Sequence, residues 1–251
     1  MCGICGIVSN DISIGSRNNI VHSMSVDMQH RGPDYQNNWS DSCVTFGHVR
    51  LSVIDLSSNG HQPMKSFNDR YILSFNGEIY NYKKIQQQLI NLGVFFKGGS
   101  DSEVLINAWA YWGEEVVNKL NGIFAFSVWD RKVKKLYLVR DRFGVKPLFY
   151  HYNNGRLLFS SEIKPLVRTG LINNDISYEA LHQYAYFGAP HSCNTLFNDI
   201  KQVNPAEIVS LENGVLSKNK YWDIKKISTT NDKMEVVTSK ICRLMESAVK
   251  G

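Results

Sequence analysis

The chain has 251 residues, of which 43% are hydrophobic, 12% aromatic and 20% charged. That is enough to bury a substantial core without disulfide or metal staples, and it excludes collagen-like, low-complexity and disordered classes. No apolar run approaches the roughly 18 residues that a membrane span needs. The net charge of +5 comes from 28 basic and 23 acidic residues and gathers mildly at Lys218, Lys220, Lys225, Lys226, Lys233 and Lys240. With no basic block and no aromatic-basic interleaving, neither nucleic acid nor membrane is indicated as a partner.

Spacing in chain order predicts a layered α+β fold. Met1-Cys2-Gly3-Ile4-Cys5-Gly6 reads as a buried first strand whose glycines let a ligand approach the backbone. Ile20, Val21, Met24 and Met28 recur at helical spacing. Alternation then predicts strands at Val44 to Leu51 and Tyr71 to Phe75. Two helices follow, one on Ile85, Leu89 and Leu92 closed by Gly93, the other on Val104, Leu105, Ala108, Trp109 and Trp112 closed by Gly113. Ile123 to Trp129 and Leu136 to Arg140 make a hairpin, and Asn153-Asn154-Gly155 turns a second one into Leu157 to Ser160. A third hairpin is expected at Glu212-Asn213-Gly214, followed by a polar stretch from Lys225 to Lys233. Beyond it Val237, Ile241, Leu244, Met245 and Ala248 stripe one face of a helix, with Asp232 and Glu235 at capping-box spacing. Because hairpins join most strands, antiparallel sheets covered by helices fit better than a doubly wound parallel sheet.

Five cysteines, an odd number, and an N-terminal run too short and too uncharged to direct export predict free thiols in a reducing compartment, with the cytoplasm as the expected location. Cys2 is the most informative residue. Removal of Met1 would give it a free α-amine, whose ordinary pKa of roughly 8 leaves part of it neutral and able to take the thiol proton. A buried cysteine pair, or a redox or metal Cys2-x-x-Cys5, reads the same residues differently, although no second pair completes a zinc site.

Asn76-Gly77-Glu78 is expected to end a strand, where a carboxamide and a glycine N–H can face a developing oxyanion; alone, Asn-Gly is a common turn. Arg50, at another strand end, could hold a carboxylate bidentately. Ser100-Asp101-Ser102-Glu103 has capping-box spacing, with Asp101 free to meet an ammonium. His30-Arg31-Gly32-Pro33-Asp34 and Arg140 to Pro147 read as structured turns held by internal ion pairs. Seven scattered histidines show no ligand spacing, so no metal site is expected. A thiol at position 2, an oxyanion hole and readers for both charges of an amino acid describe a site that cleaves a side-chain amide.

Taken together, the motifs resemble the N-terminal glutaminase domain of glutamine-hydrolysing asparagine synthetases, a class II glutamine amidotransferase with the N-terminal-nucleophile hydrolase fold. They run from Met-Cys-Gly-Ile through HRGPD (30–34), GHVRLSVIDL (47–56), FNGEIYN (75–81), SDSE (100–103), LNGIFAFSVWD (120–130), RDRFGVKPLFY (140–150) and SSEIKPL (160–166). The resemblance implies two antiparallel sheets stacked between helical layers, glutamine as substrate, Cys2 as nucleophile, and the Asn76 side chain and Gly77 N–H as oxyanion hole. It implies Arg50 and Asp101 as readers of the glutamine carboxylate and ammonium, with Glu78, Leu51, Ser52, Val53 and Ile54 lining the pocket. It also implies a glutaminase domain over 1–207, a linker over 208–233, and at 234–251 the first helix of a synthetase domain. That domain or subunit would be the partner, a homodimer being compatible, and ATP and magnesium would belong to it alone, since no pyrophosphate loop occurs here. Ala206 departs from the family's glycine without touching a catalytic position.

Overall fold

The computed structural model describes residues 1–191, 193–224 and 229–250; Lys225 and Lys226 of the expected linker, and Gly251, lie outside them. The first sheet is built around β1 (Gly3–Val8), which pairs with β3 (Val44–Arg50) on one side and β9 (Arg156–Ser160) on the other. Its edges are β2 (Tyr35–Ser40), beside β3, and β8 (Phe149–Asn153) with β10 (Lys201–Gln202), beyond β9. The second sheet runs in the order β12 (Val215–Lys220), β11 (Glu207–Glu212), β7 (Lys135–Arg140), β6 (Gly122–Asp130), β5 (Tyr71–Ile79), β4 (Met64–Lys65). All these pairings are antiparallel.

Successive side chains of the inner strands point to opposite faces and are buried on both, so each sheet has a layer to bury on either side. Between the sheets Ile4, Val44 and Phe46 meet Ile72, Trp129 and Leu138. Outside the first sheet, α1 (Ile14–Asp27) and α5 (Ile163–Arg168) pack Val21, Met24 and Leu166 on Cys5, Ile7 and Val49. Outside the second, α2 (Tyr82–Asn91), α3 (Asp101–Trp112) and the short α4 (Val116–Lys119) cover Leu73, Phe75, Phe126 and Val128. The fold is therefore the expected α+β arrangement of two stacked antiparallel sheets between helical layers.

Local chemistry explains the punctuation. Ser13 and Ser100 accept the N–H of the residue three further on and cap α1 and α3. At both Asn-Gly turns the two central residues have positive φ, Asn154 at 49° with Gly155 at 80°, and Asn213 at 49° with Gly214 at 77°, which is the primed geometry that matches strand twist. Tyr152 ties the two hairpins together, its hydroxyl donating to Gly214 O at 2.6 Å.

Four expectations are corrected. β5 does not stop before Asn76 but continues through it to Ile79, because Gly77 lets the strands close up: a Cβ there would lie 2.3 Å from Ile123 O. Residues 208–220 are not linker, since β11 pairs with β7 and buries Ile208, Val209 and Leu211. Gly3 and Gly6 give their space to neighbouring side chains, Val49 and Met28 for the first and Phe159 for the second, not to a ligand. Asp232 pairs with Lys240 Nζ at 2.6 Å instead of capping α7 (Met234–Lys250). That helix exposes its apolar face at Ile241, Leu244 and Met245. Alternation also misses β2, and α6 (Tyr178–Phe187) carried no spacing signal. Among the described residues no helix is long and apolar enough to cross a membrane.

Candidate active site

The two sheets present their strand ends to one cavity of about 220 Å³. Cys2 enters it just before β1, Arg50 and Leu51 from the end of β3, Asn76, Gly77 and Glu78 from β5, and Asp101 from the first turn of α3. Val53 and Ile54 add a wall. Ser52 is not among the lining residues; its N–H turns away to Asp34 Oδ2 at 2.7 Å.

The Cys2 Sγ accepts from Leu51 N–H at 3.4 Å and lies 3.6 Å from Leu51 O. Burial pushes its thiol up, and the Leu51 N–H, the N-terminal ammonium and Arg50 only partly oppose this. The resting sulfur is accordingly a thiol that needs a base. Cys5 does not share the site: its Sγ packs against Ser25 Oγ at 3.4 Å, and burial pushes its thiol up to about 12. Two cysteines three apart on a strand face opposite sides, which removes the paired-cysteine reading. Among the described residues no group of three potential metal-ligating side chains gathers anywhere.

Strand pairing decides which backbone groups of β5 stay free at the cavity. Arg131 N donates to Arg70 O and Tyr80 N to Asn121 O, so the even residues of β5 form the hydrogen-bonded pairs with β6 and the odd residues turn their N–H to the other edge. Phe75 N–H is taken there by Gln62 Oε1 at 2.6 Å and Ile79 N–H by Asp101 Oδ2 at 3.1 Å. Gly77 N–H lies between them, where no strand pairs: β4 reaches only Ile72 and Leu73. Beside it Asn76 Nδ2 is buried without a hydrogen-bond partner. Two N–H donors therefore stand uncommitted at the cavity wall.

Arg50 is 5% exposed, and its guanidinium donates to Ser57 O at 2.8 Å and to Asp55 O, so the loop after β3 is folded onto it. Asp101 is 6% exposed, and burial raises its carboxyl from 3.8 to about 6, with Glu78 adding repulsion. The buried Arg50 cation and the buried Asp101 carboxyl thus face the same small cavity, which Lys146, Asp55 and Glu78 also line.

Both charged turns differ from expectation: their side chains hold backbone groups or, at His30 and Arg31, the distant Glu162 carboxylate, with no internal ion pair. Arg31 Nε donates to Cys2 O at 3.0 Å while its Nη1 reaches Glu162 at 2.9 Å, and His30 meets the same carboxylate oxygen. Asp141 accepts the N–H of Phe124, Phe143, Val145 and Lys146. Arg140 donates to Gly144 O, Lys146 O and Val203 O. The first turn fastens the Cys2 peptide and the second delivers Lys146 to the cavity. Gln62, Gly60, Asp55, Ser100, Ser102 and Lys146 also line it and were not predicted.

Residues 1–222 match the family described as glutamine amidotransferase domain. Over 252 residues the chain is 34% identical to asparagine synthetase [glutamine-hydrolyzing] 3 of Bacillus subtilis (strain 168), covering 99% of this chain and 41% of that protein. With asparagine synthetase [glutamine-hydrolyzing] 1 of the same organism it shares 35% identity over 241 residues, 93% of this chain and 38% of the relative. The chain thus spans about two fifths of the length of these relatives. Glutamine phosphoribosylpyrophosphate amidotransferase from B. subtilis superposes with a TM-score of 0.62 at 20% identity, over 88% of this chain and 49% of that one, which shows a shared fold, that of the N-terminal-nucleophile amidotransferases. By its match along both sheets, the chain belongs to the glutamine amidotransferase domain family, and within it is similar to the N-terminal part of glutamine-hydrolysing asparagine synthetases.

Proposed function

We propose that this domain hydrolyses the side-chain amide of glutamine through a thioester on Cys2 and supplies the ammonia to a carboxylate-amidating partner. The observation that carries the reading is the convergence of a half-buried thiol, two uncommitted N–H donors, a cation and a carboxylate on one cavity. Arg50 would hold the α-carboxylate and Asp101 the α-ammonium, leaving the amide between Cys2 and the donors.

The thiol proton passes to the neutral α-amine of Cys2 as sulfur attacks the amide carbon, and the oxyanion is met by Asn76 Nδ2 and Gly77 N–H. The ammonium then returns that proton to the leaving nitrogen. Ammonia departs, a γ-glutamyl thioester remains, and water, deprotonated by the same amine, releases glutamate and restores the thiol. This base exists only once Met1 is removed, so intact mass of an active preparation should show a chain beginning at Cys2. Full activity with Met1 retained would sink the mechanism.

Amidation itself needs an activated carboxylate, and we assign that step to a partner domain, with aspartate as the family's usual acceptor and ATP and magnesium acting there. The exposed apolar faces of α6, at Leu181 and Tyr184, and of α7 suit such a partner. Incubating the purified chain with glutamine, aspartate, magnesium and ATP should give glutamate and ammonia at a rate indifferent to ATP, and no asparagine or AMP. ATP-dependent asparagine would place the synthetase chemistry in this chain. No glutamate at all would refute the hydrolase reading.

A further inference from the structure

Phe75 precedes the oxyanion residues, and both of its outward-facing backbone groups are held by buried side chains in place of a strand. Gln62 Oε1 accepts its N–H at 2.6 Å, and His48 Nε2 donates to its C=O at 3.1 Å. Gln62 is 4% exposed and His48 fully buried. Sequence spacing flagged neither residue. We propose that His48 and Gln62 form a clamp on the Phe75 backbone that aims Asn76 Nδ2 and Gly77 N–H, acting as positioning residues for the oxyanion hole; this rests on the function proposed above.

The geometry gives the clamp its effect. Phe75 C=O and Asn76 N–H share one peptide plane, so His48 fixes one edge of the plane while β6 fixes the other. Asn76 O is bonded to β6 in turn, which fixes the next plane, the one carrying Gly77 N–H. The φ and ψ of Asn76 are thereby set from both sides, and with them the direction of its Cα–Cβ bond. Release of His48 leaves the first plane free to tilt, and the carboxamide moves with it. Misplacement by about 1 Å can cost roughly 10²-fold in rate.

His48 is costly to keep as a mere filler. A carbonyl only accepts, so Nε2 carries the proton and Nδ1 is left as a bare acceptor, buried with no partner. Burial also lowers its pKa to about 4, so the ring is neutral and supplies no charge to the site. What the imidazole adds over leucine is one N–H, directed at Phe75 O.

The test compares His48→Gln, whose Nε2 stands as many bonds from the backbone as the native Nε2, with His48→Asn and His48→Leu, which cannot present a donor there; Gln62→Met is the second arm. Each is assayed for glutamine kcat and KM, for iodoacetamide alkylation at Cys2 and for thermal midpoint. Alkylation forms no oxyanion, so it reports the nucleophile alone. Expected is a kcat lower by about 10- to 10²-fold in His48→Asn, His48→Leu and Gln62→Met, with KM and alkylation near parental, and recovery in His48→Gln. Should His48→Leu fail to fold, the Gln and Asn pair still decides. Parental kcat in His48→Asn, equal losses in His48→Gln and His48→Asn, or parallel losses in KM and alkylation would overturn the clamp. Asn76→Ala, run alongside, separates the two levels: if it keeps parental turnover the oxyanion assignment fails, and if it alone is impaired only the clamp does.

Discussion

Replacing Asn76 with alanine should lower kcat for glutamine by about 10²–10³-fold, the usual consequence of removing one oxyanion donor, while KM changes much less. The carboxamide is asked to bind a charge that exists only after sulfur has attacked, so its loss falls on the transition state and not on glutamine binding. In the resting protein Asn76 Nδ2 is buried without a partner, and an unsatisfied buried donor costs about 1–3 kcal/mol. The same substitution should therefore leave the thermal midpoint unchanged or raise it. Initial rates over a range of glutamine concentrations, with a melting curve of the same sample, check both halves. A variant with raised KM and parental kcat would make Asn76 a substrate-positioning residue.

Much of this site was legible because its chemistry needs particular side chains at particular strand and helix ends. Cys2, Arg50, Asn76, Gly77 and Asp101 stand out as reactive or charged types beside glycine or a cap, and the fold brings all five to one cavity. Ser52 was misplaced because neighbours along an irregular loop do not share a direction, and its N–H is taken by Asp34. Arg31, Gln62 and His48 reach the site's backbone through contacts 13 to 29 residues away. Spacing along the chain carries no trace of such contacts.

For the fold, alternation and Asn-Gly turns located the inner strands and hairpins. It failed at β2, where Tyr-Gln-Asn-Asn-Trp-Ser lies at a sheet edge and is mostly half-buried, giving no contrast between faces. The boundary at 207 fell inside β11 because the expected hairpin ends in the almost wholly exposed β12, whose polar face gives no sign that its other arm, β11, pairs with β7 inside the domain. The charged turns were misread for a related reason. Composition shows that Arg31, Arg140 and Asp141 need partners, but only the folded chain shows those partners to be a distant carboxylate and backbone groups.

Asp101→Asn should cut glutamine kcat/KM by at least about 30-fold, because stranding one charge of a buried pair costs about 2–5 kcal/mol, and it should also make the folded protein more stable. The carboxyl is raised from 3.8 to about 6 chiefly by burial, a displacement worth on the order of 3 kcal/mol against the fold once the group is ionised. Its place in the first turn of α3 returns about 0.3–1 kcal/mol through the helix dipole, so the net gain on neutralisation is on the order of 2 kcal/mol. Asparagine can still accept the Ile79 N–H that Asp101 Oδ2 now takes at 3.1 Å. The sign follows from proton binding: between 3.8 and about 6 the native state binds the proton more tightly than the unfolded chain, so wild-type stability falls as pH rises through that window. The variant lacks this fall, and its advantage in thermal midpoint should grow across the window and hold above it. Over the same window wild-type kcat/KM for glutamine should rise with pH, since only the carboxylate pairs with the ammonium, and the variant should lose that limb of the profile. Unchanged glutamine kinetics would remove Asp101 from substrate binding. A variant less stable than wild type above pH 6 would show instead that the ionised carboxylate is already paid for inside the resting site.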